Sequence, residues 1–150
     1  MKRSIVCAAF LLGAACGEDV QRNSLVDRGK LCVGGGEPVG ELDMLGGVCG
    51  KIQPGQMLSF TVSLDRECLS SSCDTERVAN CDAELEDDQI LVTSKLEWTS
   101  HGGECTAGCQ QLAAQCKSPP LEAGNYTGRF GGSTVRALTV PSDLGKGCHN

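Results

Sequence analysis

Apolar and polar side chains alternate through three stretches of the chain, and each alternation predicts a half-buried β-strand. Leu58, Phe60, Val62 and Leu64 interleave with Ser59, Thr61 and Ser63, just after the turn signal Gln53-Pro54-Gly55-Gln56. Ala79, Cys81, Ala83 and Leu85 alternate with Asn80, Asp82 and Glu84. Ile90, Val92, Leu96 and Trp98 follow after the polar turn Glu86-Asp87-Asp88-Gln89, so the second and third stretches read as a hairpin. Trp98, the only tryptophan, then falls on the inward face as a core anchor. Further on the period changes. Cys105, Cys109, Leu112 and Cys116 recur at i, i+4, i+7 and i+11, which predicts a short helix near 105–116, ended by Ser118-Pro119-Pro120. Cysteines four apart on a helix are badly placed to bond to each other, so Cys105 and Cys109 should reach different partners.

The C-terminal third returns to strand signals: Tyr126 to Phe130, the turn Gly131-Gly132, then Thr134 to Val140, stopped by Pro141. Before the first of these stands Leu121-Glu122-Ala123-Gly124-Asn125-Tyr126. This run resembles the tyrosine corner of Greek-key β-sandwiches, in which a Leu and a Gly precede a Tyr whose hydroxyl bonds back to the backbone. The resemblance implies a structural role for Tyr126 and an immunoglobulin-like fold. The expected class is therefore mostly β: a disulfide-stapled, immunoglobulin-like β-sandwich with one short helix.

The first residues have a different character. Met1-Lys2-Arg3 is basic, Ser4 to Leu12 is uncharged and largely apolar, and Gly13-Ala14-Ala15 is a run of small residues before Cys16. That order is the n-region, h-region and cleavage site of a secretion signal. A membrane-spanning helix needs about 20 apolar residues, more than this stretch has. Its end resembles the lipobox of bacterial lipoproteins, with Ala14 and Ala15 as the small residues, Cys16 as the lipid acceptor and Gly13 in place of the usual aliphatic residue. The resemblance implies cleavage before Cys16 and anchoring by lipid. Gly17, rather than Asp, after the cysteine then implies the outer membrane. An ordinary secretory signal cut near Ala15 or Gly17 is the alternative. The expected organisation is a signal peptide over 1–15, a lipidated cysteine and flexible polar tether over 16–31, and one cysteine-rich domain over 32–150.

The cysteine count agrees with export. Eleven cysteines are present, and nine remain after Cys7 and Cys16: Cys32, Cys49, Cys68, Cys73, Cys81, Cys105, Cys109, Cys116 and Cys148. All nine are disulfide candidates. If Cys16 is acylated the count is odd and one thiol is left over; if it is not, ten cysteines can close five bridges. Four aromatic side chains beyond the signal and twenty glycines make a lean core on a flexible backbone, which gains from covalent staples. The last of the nine, in Gly145-Lys146-Gly147-Cys148, reads as the tie of a C-terminal tail.

Loss of residues 1–15 removes Lys2 and Arg3, leaving 11 basic residues against 19 acidic ones, a formal charge of −8. Such a surface argues against a nucleic-acid partner. Zinc is disfavoured by spacing: no Cys-x2-Cys pair occurs, and only His101 and His149 offer imidazole, so no metal or cofactor is expected. Gly34-Gly35-Gly36 lacks the Gly-Lys-Ser/Thr ending of a phosphate loop. Asp82, Glu84, Glu86, Asp87 and Asp88 lack the spacing of a calcium loop and read as a soluble hairpin tip. His101, in Ser100-His101-Gly102-Gly103, reads as a loop histidine, and no catalytic residue is assigned. The function expected is a non-catalytic binding or structural module, attached to the membrane by its N-terminal lipid and facing an unidentified envelope partner. A secreted hydrolase inhibitor presenting the loop Glu67 to Thr75 is the alternative, and a secreted enzyme comes third.

Overall fold

A computed structural model describes residues 19–35, 50–65, 68–106, 108–144 and 148–149. In chain order the first strands are β1 (Val20–Val26), β2 (Lys30–Gly35), β3 (Gly50–Ile52), β4 (Leu58–Ser63), β5 (Leu69–Ser70), β6 (Asp74–Glu86) and β7 (Gln89–His101). They are followed by β8 (Cys109–Gln110), β9 (Ala113–Lys117), β10 (Gly124–Phe130), β11 (Ser133–Val140), β12 (Ser142–Leu144) and β13 (Cys148–His149). The described residues contain no helix.

Two larger sheets carry the fold. In the first, the long hairpin β6–β7 is the spine, with β6 antiparallel along one side of β7. The other side of β7 is shared: β1 pairs antiparallel with residues 95–101, and β10 pairs parallel with residues 89–92 and continues to β11. The second sheet has the order β13-β2-β4-β9. Two short ladders, β3 with β12 and β5 with β8, complete the pairing.

Asp27 fills the junction where the neighbour of β7 changes from β1 to β10. Its backbone N–H donates to the Ser94 carbonyl at 2.9 Å, and its Oδ1 accepts from the Ser94 N–H at 2.8 Å. The residue thus satisfies two ladder groups that neither strand reaches. Gly131, at φ 57°, closes against it, and a Cβ there would stand 2.5 Å from the Asp27 carbonyl oxygen. Two residues after Asp27 the chain crosses to the second sheet through Gly29, whose φ of 117° suits glycine and whose added Cβ would run into the Ser63 carbonyl.

The alternating strands face their apolar side chains into one shared core. Leu31 and Val33 of β2 and Leu58, Phe60 and Val62 of β4 meet Ile90, Val92, Leu96 and Trp98 of β7 in a single cluster. Each such side chain contributes about 1.5–3 kcal/mol through its burial. Trp98 is 8% exposed. The edge strands of the two sheets, β6 and β9, are joined by Cys81–Cys116, with a Cα–Cα distance of 5.3 Å.

Two expectations are corrected. Among the described residues of the segment 105–116 there is no helix; the segment contains β8 and all of β9 but its last residue. Leu112 and Ala114 are buried and Cys116 half-buried while Gln111, Gln115 and Lys117 are exposed, so the true period is two. The 3.6-residue coincidence came from Cys105 and Cys109, whose positions are set by disulfides rather than by a shared face. The polar segment read as part of a tether is strand β1 and the start of β2. Its side chains are mostly exposed, and its place is fixed by the ladder to β7, so alternation of hydrophobicity did not reveal it.

Candidate functional site

The strand β7 runs between two ends of the molecule with unlike chemistry. At its C-terminal end, Cys68–Cys109 and Cys73–Cys105 fasten residues 68–73 to residues 105–109, with Cα–Cα distances of 5.2 and 5.5 Å. Cys105 and Cys109 therefore do reach different partners. The tight turn between β5 and β6 is held by hydroxyls and backbone amides. The Ser70 N–H donates to Asp74 Oδ2 at 2.7 Å, the Cys73 N–H donates to Ser70 Oγ at 3.3 Å, and the Thr106 N–H donates to Ser72 Oγ at 2.8 Å. The Arg77 guanidinium donates to the Ser70 carbonyl at 2.6 Å. Ser71, Ser72, Gly103, Cys105 and Thr106 are exposed on this end.

Polar side chains also gather where β1, β6 and β7 meet. Ser100 donates to Asp74 Oδ1 at 2.6 Å and accepts from the Asn23 amide at 3.1 Å. His101 Nε2 lies 2.9 Å from the Thr75 hydroxyl. Neighbouring strand residues point to opposite faces, so the His101 ring and the Ser100–Asp74 pair do not converge into a nucleophile–base arrangement.

The opposite end carries the acidic turn and a cavity. Asp82, Glu84 and Glu86 are exposed along β6, and Asp87 and Asp88 form the turn into β7, with Asp87 at φ 53°. Beside them lies an open cavity of about 410 Å³, lined by Asp88, Asn125, Tyr126, Thr127, Arg136 and Ser142 among others. Three hydrogen bonds fix its walls. The Thr127 N–H donates to the Asp88 carbonyl at 2.8 Å, Thr139 Oγ1 donates to Asn125 Oδ1 at 2.8 Å, and the Tyr126 hydroxyl donates to the Glu122 carbonyl at 3.0 Å. A carboxylate, a guanidinium, an amide and hydroxyls share this concavity with Ala137 and Leu138, so it offers polar anchoring groups beside an apolar wall.

The residues singled out from sequence are dispersed. Trp98 lies in the shared core, and Tyr126 forms part of the cavity wall. Seven of the nine cysteines, Cys32, Cys68, Cys73, Cys81, Cys105, Cys109 and Cys116, are disulfide-bonded. The Cα of Cys148 stands opposite that of Cys32 in the β2–β13 ladder. Cys16 and Cys49 lie outside the described residues. Among the described residues no group of three or more His, Cys, Asp or Glu side chains is placed to hold a metal ion. The cavity itself had no sequence signal, because Asp88, Asn125 and Arg136 come together only through the β7–β10–β11 pairing. No protein-family model, curated protein or solved structure matches the chain.

Proposed function

We propose that this protein is an envelope lipoprotein, acylated at Cys16, whose immunoglobulin-like β-sandwich domain is a non-catalytic binding module. Three disulfides fit maturation in an oxidising compartment, as export would require. The observation that carries the binding role is the cavity beside the acidic turn, where charged and amide groups join an apolar wall in one concavity at the end of the β6–β7 hairpin. Binding there is tested by capturing partners from envelope extracts on the immobilised domain, followed by direct titration of each captured partner. A partner bound by the wild type and by Glu104→Lys, but not by Asp88→Lys or Asn125→Ala, supports this site. Equal loss in all three variants, or loss only in Glu104→Lys, counts against it.

A second reading, a secreted hydrolase inhibitor, is favoured by one observation: residues 68–73 are braced by two disulfides, the rigidity that a substrate-like inhibitory loop needs. A protease panel decides it. Inhibition that disappears when Cys73 and Cys105 are both changed to alanine would replace the binding-module reading.

A further inference from the structure

We propose that the doubly disulfide-braced end of the domain, residues 70–73 and 102–106, rests on the bilayer that holds the Cys16 lipid, and that the acidic turn at the other end faces away from it. The proposal takes acylation of Cys16 as its premise. Its main support is the length of the leash. The Gly102 N–H donates to the Asp19 carbonyl at 2.9 Å, and Val20 pairs with His101. The chain is therefore pinned to the braced end three residues after Cys16. Three residues span at most about 11 Å. The headgroup layer of one leaflet takes roughly 5–8 Å of that, which leaves a few ångströms, about one layer of water. A tether over 16–31 would allow the domain to turn freely. Strand β1 removes that freedom.

The same ladders identify which loops come with Asp19. The His101 N–H donates to the Cys73 carbonyl at 2.8 Å, and Asp74 pairs with Ser100, so residues 70–73 lie beside the start of β1. Val20, 52% exposed, is on the same end. From His101 back to Gln89, β7 covers twelve residue steps, roughly 40 Å, so the acidic turn stands that far from the braced end.

Charge acts in the same direction. Five exposed or turn carboxylates fall within the seven residues Asp82–Asp88, whereas at the braced end Asp74 and Glu76 are engaged by Ser70, Ser100 and Thr99 and the exposed loops present mainly hydroxyls and backbone, with Asp19 and Glu104 as further carboxylates nearby. Anionic headgroups repel the acidic end over a Debye length and leave the hydroxyl-rich end nearest the surface. The cavity beside Asp88 is then presented outward, and residues 68–73 face lipid, which separates this arrangement from the inhibitor reading.

Energy transfer from tryptophan to dansyl headgroups reads the arrangement. The full-length acylated protein is placed in phosphatidylethanolamine–phosphatidylglycerol vesicles carrying dansyl-phosphatidylethanolamine, and its acyl mass is recorded from the same sample. Trp98 is the only tryptophan and sits three residues from His101. Transfer from Trp98 should be strong. It should fall sharply when twenty Gly/Ser residues are inserted between Gly17 and Glu18, which adds an average reach of about 25 Å. A reporter at the far end, Gln89→Trp in a Trp98→Phe background, should transfer weakly. Unchanged transfer after the insertion, or equal transfer from positions 89 and 98, overturns the orientation while acylation stands. Absence of acyl mass on Cys16 overturns the anchored reading itself, and the orientation with it. Should Trp98→Phe fail to fold, the insertion comparison alone decides.

Discussion

Changing Cys81 and Cys116 together to alanine removes the covalent link between β6 and β9, the edge strands of the two larger sheets. With the other bridges intact, Cys73–Cys105 shortens the ring that Cys81–Cys116 closes from its sequence separation of 35 to about twenty residues, from 81 back to 73 and from 105 to 116, for which the chain-entropy relation gives just over about 3 kcal/mol of lost stability. Both side chains are half-buried, so the small void left by truncation adds less than about 1 kcal/mol. Against a typical total of about 5–15 kcal/mol this is a large fraction. It corresponds to a fall of roughly 10–15 °C in melting temperature for a domain of this size. Urea unfolding followed by Trp98 fluorescence measures it, with peptide mapping to show that the other bridges remain. The pair Cys73→Ala/Cys105→Ala is a graded comparison. Its bridge is nested inside the span of Cys68–Cys109, so its removal frees a ring of only about ten residues and should cost just under about 3 kcal/mol. If the Cys81/Cys116 variant unfolds within about 1 kcal/mol of the wild type, or costs less than the nested pair, the bridge does not constrain the two sheets as described.

Further expectations follow from single contacts. Trp98→Ala should cost about 3–5 kcal/mol for a buried core side chain, and Tyr126→Phe about 0.5–1 kcal/mol for an exposed hydrogen bond to Glu122; the reverse ranking in thermal melts would place Trp98 outside the core. Gly29→Ala combines a positive φ with a clash against Ser63, and should destabilise by about 1–3 kcal/mol or more in the same melts. A variant as stable as the wild type would show that Gly29 does not lie against the Ser63 carbonyl at the β1–β2 crossing. Cys32 is disulfide-bonded and opposes Cys148 in the ladder, so non-reducing peptide mapping should return Cys32 joined to Cys148, with alkylation finding Cys49 as the odd thiol. A Cys32–Cys49 peptide would contradict the pairing.

Where burial is one-sided, the sequence announces its strands. The runs 58–64, 79–85 and 90–98 bury every second side chain or nearly so, and all three are strands with the expected inward faces. The turn at Asp87-Asp88 was equally readable because a polar pair separates two such runs. Strand β1 was not readable, since an edge strand with exposed Val20, Arg22, Ser24 and Val26 is held by backbone pairing to β7, to which hydrophobic periodicity is blind. The segment 105–116 misled for a different reason. Its cysteines are placed by cross-links to residues 68, 73 and 81, and the 3.6-residue spacing between them is accidental. The cavity beside Asp88 belongs to a third kind, in which residues far apart in sequence meet through a parallel pairing of β10 with β7 that no local signal specifies.

Membrane anchoring, and the orientation that follows from it, depend on the state of the N-terminus. Intact-mass analysis of the protein taken from the membrane fraction, before and after reduction and alkylation, measures it together with the bridges. The mass predicted is that of a chain beginning at Cys16, carrying a diacylglyceryl group, with one thiol open to alkylation before reduction. An unmodified chain recovered from the medium, or a membrane-bound chain whose cysteines are mostly reduced, would contradict it.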